Sequence, residues 1–201
     1  SQLTSGTTWH AAGLVGTFGS LSETATELRK YTKQLYQDLE AETGQSTGFK
    51  PCGFIELAAN NDRREMYRRV AAFNRRCGVE VNEISPKEIK ELFPLCKTDD
   101  LLCGFHVPTD GRANPVDASM AMAKGARMNG VRIYENTRVS NIITNEAISN
   151  KKGFYDNRKQ VTGVEVTSDN GDKHTIQADI IVNCTGMWAR QFGEVNDKSI
   201  N

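Results

Sequence analysis

The sequence predicts a mixed α/β fold that carries an inserted α+β segment, and three observations support this prediction. Segments with helical spacing alternate with short strand-like segments along most of the chain. Residues 178–184 are centred on the apolar run 180–182, and we interpret them as a strand buried in the middle of a sheet. Residues 161–167 and 173–176 flank an Asp-Asn-Gly sequence, which predicts a tight antiparallel hairpin.

Helices are predicted wherever apolar residues recur at helical spacing or a helix-starting residue precedes them. Asp62 is predicted to cap the second helix, and Ser85, which precedes a proline, is predicted to begin the third. Pro115 or Asp117 is predicted to start the fourth. The predicted helices are residues 28–43, 63–77, 87–93, 118–128 and 188–192.

Strands are predicted in short segments that are rich in β-branched and aromatic residues and bounded by turn residues. A polar segment at residues 145–159 contains few apolar side chains, so we expect it to form an exposed loop or insertion. The predicted strands are residues 49–59, 79–84, 101–107, 131–134, 138–143, 161–167, 173–176 and 178–184.

Composition argues against several classes of protein. The 25 basic and 25 acidic residues give a net charge of zero, which disfavours a nucleic-acid-binding or anionic-membrane surface. No apolar run approaches the length of a transmembrane helix. The five cysteines form no C-x-x-C pair and the three histidines are far apart, so we expect free thiols and no metal site.

The segment TSGTTWHAAGL, residues 4–14, is the strongest candidate for a functional site. It places His10 among small and hydroxylated residues, and glycine allows the backbone to approach a ligand closely. Thr7 and Thr8 are predicted to cap a helix start, where free N–H groups suit an electron-rich ligand. From these residues alone, a simple cap with a histidine packed beside Trp9 is the favoured interpretation.

This segment resembles the flavin-attachment segment of the dimethylglycine dehydrogenase and sarcosine dehydrogenase family. The resemblance continues through LEAETG, GFIELA, VPTDGRANP and VNCTGMWA, and so covers nearly the whole chain. It implies a fold of the DAO or glutathione-reductase type. Residues 1–48 and 115–201 would be pieces of an FAD-binding domain, and residues 49–114 would be part of an inserted substrate domain.

The resemblance also implies the residues of the cofactor site. His10 would be bonded covalently to the 8α-methyl group of FAD, and no catalytic residue is expected within this chain. The other residues implied to contact FAD are Gly6, Thr7, Thr8, Trp9, Ala11, Ala12, Gly13, Leu14, Val139, Thr185, Gly186 and Trp188.

The contact at Thr185, Gly186 and Trp188 has some support from the residues themselves. In open α/β sheets, ligands lie beyond the carboxyl ends of strands, and Thr185 follows the predicted strand 178–184. A strand-to-helix turn with a packing tryptophan explains the same residues equally well. His106, in contrast, is predicted to be packed or exposed rather than catalytic, because no orienting partner lies near it in sequence.

The resemblance implies an enzyme that oxidises an N-methyl amine such as dimethylglycine or sarcosine by hydride transfer to FAD. Its partners would be an electron-transfer flavoprotein and possibly folate, and it would work in the mitochondrial matrix of eukaryotes or the cytoplasm of bacteria. The alternative is a non-catalytic relative such as the regulatory subunit of pyruvate dehydrogenase phosphatase, which is not a known oxidoreductase. The chain contains no G-x-G-x-x-G sequence, so we expect it to be an internal fragment that is inactive alone.

Overall fold

The computed structural model describes residues 2–146 and 159–196. The chain divides into two compact units, one spanning Leu3–Ile133 and one beginning at Tyr134. The described residues contain no helix that is both long enough and apolar enough to cross a membrane. All strand pairs in the described residues of both units are antiparallel. Each unit contains one of the two candidate functional regions.

The first unit contains four helices and five short strands. Its elements are β1 (Leu14–Val15), α1 (Glu23–Thr43), β2 (Phe54–Ala58), α2 (Asn61–Arg76), β3 (Asn82–Ile84), α3 (Pro86–Leu92), β4 (Cys103–Val107), β5 (Gly111–Arg112) and α4 (Pro115–Met128).

The helix starts follow from side-chain caps. Asn60, rather than the predicted Asp62, caps α2 by accepting a hydrogen bond from the Arg63 N–H at 2.9 Å. Ser85 and Glu88 form a reciprocal capping box at the start of α3. Asn114 caps α4, with Pro115 in the first helical turn, so this helix starts at the earlier of the two predicted positions.

The core of the first unit lies on a three-stranded antiparallel sheet. Strand β4 is central, with β2 and β3 on either side of it. Phe105 in β4 is almost fully buried, and its ring stacks with Phe18 at 6.0 Å and meets Tyr67 edge-on at 5.8 Å between centroids. Helix α2 packs against β2 and β4 and thereby closes this core.

A second small sheet joins distant parts of the first unit. Strand β1 pairs antiparallel with β5, so that Leu14 lies opposite Arg112 and Val15 lies opposite Gly111. The segment that follows the candidate flavin-attachment residues is therefore fixed onto the VPTDGRANP segment.

The second unit is an antiparallel three-stranded sheet followed by a helix. Strands β6 (Thr137–Glu146), β7 (Lys159–Ser168) and β8 (Lys173–Gln177) are hydrogen-bonded in that order, and α5 spans Ala189–Asn196. The predicted hairpin is confirmed, because β7 and β8 pair across the Asp-Asn-Gly turn. The predicted loop at 145–159 lies mostly outside the described residues, but its ends belong to β6 and β7.

Two predicted strands are wrong. Residues 131–134 adopt no strand conformation, and residues 178–184 form no strand either. Ile180 is 82% exposed and Val182 is 77% exposed, although their run was expected to be buried. An apolar run predicts burial only where another surface covers it. Apart from a hydrogen bond from the Ala178 N–H to the Thr162 carbonyl oxygen of β7 at 3.0 Å, no described strand pairs with these residues.

Candidate functional site

The candidate flavin-attachment segment contains a short 3-10 helix, Thr8–His10, that packs against α4. Thr7 occupies its N-cap position, but neither it nor Thr8 makes a side-chain cap, so the predicted capping role is wrong. Three residues give only one turn, which leaves little helix for a side chain to cap. The Thr7 and Thr8 hydroxyls are not used by a cap.

His10 is exposed beside an equally exposed Trp9. Their rings meet edge-on, with centroids 4.6 Å apart and planes inclined at 82°. Within the described part of the chain, no group forms a hydrogen bond with the imidazole. The ring is oriented by one aromatic contact, and its nitrogens face no competing protein partner.

A cavity of about 440 Å³ lies beside this segment, within the first unit. It is bounded by the segment, by Tyr36 of α1 and by the start of α4. Five of the residues implied by the resemblance line it, whereas Gly6, Trp9, His10 and Ala12 do not. The lining residues are Thr7, Thr8, Ala11, Gly13, Leu14, Val15, Tyr36, Ala113, Pro115, Ala118 and Ser119.

Gly13 holds the segment against the rest of the first unit. Its φ angle is +73°, and a Cβ at this position would overlap the carbonyl oxygen of Ala113. The Ala113 N–H donates a hydrogen bond to the Gly13 carbonyl oxygen at 2.9 Å. This glycine is required by backbone packing, whereas Gly6 has open space around it.

A second cavity of about 290 Å³ lies in the second unit. It brings together Val139, Thr185 and Trp188, three residues that the resemblance implies and that lie up to 49 positions apart in sequence. Gly186 does not line it; this residue has a φ of +59° and no atom within 4 Å of an added Cβ. The complete lining is Arg138, Val139, Ser140, Thr185, Trp188, Gln191 and Phe192.

Asn183, which sequence reasoning missed, shapes the turn beside this second cavity. Its Oδ1 accepts hydrogen bonds from the Thr185 N–H at 3.1 Å and from the Thr185 hydroxyl at 2.6 Å. Its Nδ2 donates to the Ala189 carbonyl at 3.5 Å. An asparagine side chain often bonds to the backbone two residues further on, in an Asx-turn. This turn could therefore have been predicted from the sequence.

His106 lies on the central strand β4, opposite Ile55 and Asn82 on the neighbouring strands. It is half-buried, and the expectation that it is packed or exposed rather than catalytic stays a prediction. Among the described residues, no group of three or more His, Cys, Asp or Glu side chains is arranged to hold a metal ion.

Hydrogen bonds with Ser85 lower the pKa of Glu88 at the start of α3, and the other titratable groups with displaced pKa values lie around α2. The Arg68 guanidinium, 2.8 Å from both carboxylate oxygens of Glu83, lowers the pKa of Glu83. Burial raises the pKa of the Cys103 thiol and of the Tyr67 phenol. These displacements follow from packing and pairing in the first unit.

Comparison with known proteins identifies the family. Residues 1–200 match the family model described as FAD dependent oxidoreductase, DAO. The chain belongs to the DAO family of FAD-dependent oxidoreductases. This match confirms the implied fold family and confirms FAD as the cofactor of the family.

Individual relatives agree with that assignment. The chain is 34% identical to the mouse pyruvate dehydrogenase phosphatase regulatory subunit, over all of this chain and 21% of that protein. It is also 34% identical to human sarcosine dehydrogenase, over 96% of this chain and 20% of that protein. The chain thus spans about a fifth of the length of these relatives.

A solved structure shows the same fold. L-proline dehydrogenase from P. horikoshii superimposes with a TM-score of 0.78 and 26% identity, over 95% of this chain and 46% of that one. The mixed α/β architecture described above therefore occurs as part of the longer chain of that dehydrogenase.

Proposed function

We propose that this chain is part of a flavoprotein that oxidises N-methyl amines of the sarcosine or dimethylglycine type, with FAD attached covalently to His10. The observation that carries the proposal is an exposed histidine that has no hydrogen-bond partner among the described residues and whose neighbours in the segment line a cavity, in a chain of the DAO family. Sarcosine dehydrogenases and dimethylglycine dehydrogenases among its relatives support the substrate class.

The residues present are suited to a large, flat cofactor. The 440 Å³ cavity lies within the range of small-molecule sites, and glycine and alanine keep its wall along residues 11–13 free of bulky side chains. Thr7 and Thr8 supply hydroxyl groups that accept or donate hydrogen bonds. These residues, with Gly6, Trp9, Ala12 and Leu14, would hold FAD on one side of its ring system.

His10 would form the covalent link through the lone pair of a neutral ring nitrogen. It would form a C–N bond to the methyl carbon of a bound flavin, with loss of one proton of that methyl group to water and of two electrons to an acceptor such as dioxygen. The edge-on contact with Trp9 would keep the imidazole in one orientation.

We assign a supporting role to Val139, Thr185, Gly186 and Trp188. The cavity that three of these residues help to line has two aromatic side chains and two hydroxyl groups, and Asn183 hydrogen-bonds to Thr185 in the adjoining turn. In this proposal, residues 1–48 and 115–201 contribute to FAD binding and residues 49–114 contribute to the substrate domain.

FAD, when bound, accepts a hydride from the N-methyl group of the amine. The chain's own residues bind and orient the cofactor. We also propose that electron-transfer flavoprotein accepts the electrons and that folate accepts the one-carbon unit. The mitochondrial names of the relatives support a mitochondrial location for a eukaryotic protein, and we propose the cytoplasm for a bacterial one.

Anaerobic mixing of the full-length protein with sarcosine or dimethylglycine tests this function. Bleaching of the flavin absorbance by either amine is the expected result, with glycine as a control that lacks the N-methyl group. The relation to the phosphatase regulatory subunit favours a second candidate, a regulatory protein without oxidase chemistry. A bound flavin that none of these amines reduces would favour that candidate.

A further inference from the structure

We propose that Asp110 positions the segment that contains His10, through a buried carboxylate that holds Thr17. This inference rests on the proposed role of His10 and adds a positioning residue to that site. Asp110 lies 93 residues from Thr17 in sequence, and the pair Asp110-Gly111 is by itself only a turn signal. The structure gives its side chain contacts with two separate parts of the first unit, the loop at Thr17 and helix α1.

Thr17 and Asp110 are both completely buried. The Thr17 N–H donates to Oδ2 of Asp110 at 2.6 Å, and the Thr17 hydroxyl donates at 2.8 Å to Oδ1, with Oδ2 at 3.0 Å. Bonds to an ionised acceptor are stronger and more strictly oriented than bonds between neutral groups. The backbone at residue 17 is therefore fixed in position and direction.

Lys33 of α1 completes the cluster. Its Nζ lies 3.3 Å from Oδ1 of Asp110 and 2.8 Å from the Thr109 hydroxyl, and its side chain is only 17% exposed. A carboxylate without this cation and these donors would be costly to bury. A turn needs no buried charge, so the arrangement indicates a function beyond making the turn.

The Asp110–Thr17 contact affects the position of the candidate flavin-attachment segment because the two are connected through neighbouring residues of the chain. Strand β1 begins four residues after His10 and is paired with β5, directly after Asp110. Gly13 is hydrogen-bonded to Ala113, and the 3-10 helix that contains His10 packs on α4, which begins at Pro115. Residues 8–17 thus lie along residues 110–118, and the Asp110–Thr17 contact fixes one end of this alignment.

The test compares variants of the full-length protein that remove this contact with a control that removes a similar one. Asp110→Asn and Thr17→Val break the cluster, whereas Thr17→Ser keeps the hydroxyl. Asn74→Ala is the control, because Asn74 is also fully buried and accepts from the Gly19 N–H at 3.2 Å and donates to the Ser20 carbonyl at 2.8 Å. Asn74 therefore hydrogen-bonds to the same loop, but at residues that follow Thr17 in the chain.

Two readouts are measured alongside thermal stability. The first is hydrogen exchange of the backbone amides of residues 6–15 in the flavin-free protein. The second is the fraction of flavin that stays covalently bound after acid precipitation at a fixed time. A misplaced nucleophile slows bond formation steeply, so we expect Asp110→Asn and Thr17→Val to lower the covalent fraction by on the order of tenfold.

We also expect faster exchange in residues 6–15 for these two variants, near-normal behaviour for Thr17→Ser, and lost stability alone for Asn74→Ala. Equal effects of Asp110→Asn and Asn74→Ala on both readouts, at similar stability, would overturn the positioning role. Absence of covalent flavin in the wild type would overturn the attachment at His10 instead. The exchange comparison alone would then decide for or against Asp110.

Discussion

The two candidate regions are held in place by different means. Residues 4–17 lie on a packed unit, where Gly13 is pressed against Ala113 and Thr17 is bonded to a buried carboxylate. Residues 183–188 are shaped by hydrogen bonds within their own turn, and Trp188 remains 58% exposed. The first region depends on residues about a hundred positions away, whereas the second depends on its immediate neighbours.

This difference shows that two glycines in family-like motifs can be required for different physical reasons. A small residue such as Gly13 is required both by its positive φ and by the close approach of another backbone segment. Gly186 has the positive φ without the close approach. Substitution at the first region should therefore change folding and cofactor binding together, whereas substitution at the second should separate them.

The largest expected effect comes from the core beneath the first region. Phe105→Ala removes a ring that is 1% exposed and that contacts Phe18 and Tyr67, so it should lower the free energy of unfolding by about 3–5 kcal/mol. Ile180→Ala, at a position 82% exposed, should change it by less than about 0.5 kcal/mol. Urea unfolding followed by circular dichroism measures both, and similar losses would show that the run around Ile180 is buried after all.

The next largest effect on stability is expected at Gly13, and comparing it with Gly186 tests the difference between the two regions directly. Gly13→Ala adds backbone strain and a clash with Ala113, and should cost about 2–4 kcal/mol. Gly186→Ala adds strain in open space, and should cost only about 1 kcal/mol. Thermal and urea unfolding of the two variants check this order.

Flavin retention completes the glycine comparison. We expect Gly186→Val to weaken FAD binding in the full-length protein more than it weakens folding, because the side chain would enter space that we assign to the cofactor. A Gly186→Val protein with normal flavin retention would reduce this residue to a simple turn former.

A smaller effect should appear with pH. Arg68 lowers the pKa of Glu83 in the folded protein, so the pair stabilises the fold above the ordinary glutamate range and loses this contribution as pH falls through the lowered pKa. Both side chains are partly exposed and screened by water, so the contribution should be small. The stability difference between wild type and Glu83→Gln should shrink between neutral pH and about pH 3. A difference that stays constant over this range would contradict the pairing.

Local features of the fold were predictable from the sequence. Gly44 ends α1 in a left-handed conformation, Ser85 and Glu88 cap α3, and the Asp-Asn-Gly turn joins β7 to β8. Each depends on residues within a few positions of one another. The run at 178–184 was mispredicted because burial depends on what covers a segment, which its own residues do not specify.

The candidate site was predictable only in part. The resemblance indicated Val139, Thr185 and Trp188, and the structure brings these residues to one cavity, but their contact with FAD stays a prediction. The Asp110–Thr17 contact joins residues 93 positions apart, and no local pattern marks either as buried. Asn183 was missed although its spacing from Thr185 is a local signal.

Acid precipitation of the full-length protein tests the central claim, that His10 holds the flavin covalently, most directly. The account predicts that wild-type protein gives a yellow pellet, that a flavin-modified peptide containing His10 is found by mass spectrometry, and that His10→Ala releases all flavin to the supernatant. A colourless wild-type pellet, or a yellow pellet from His10→Ala, would contradict it.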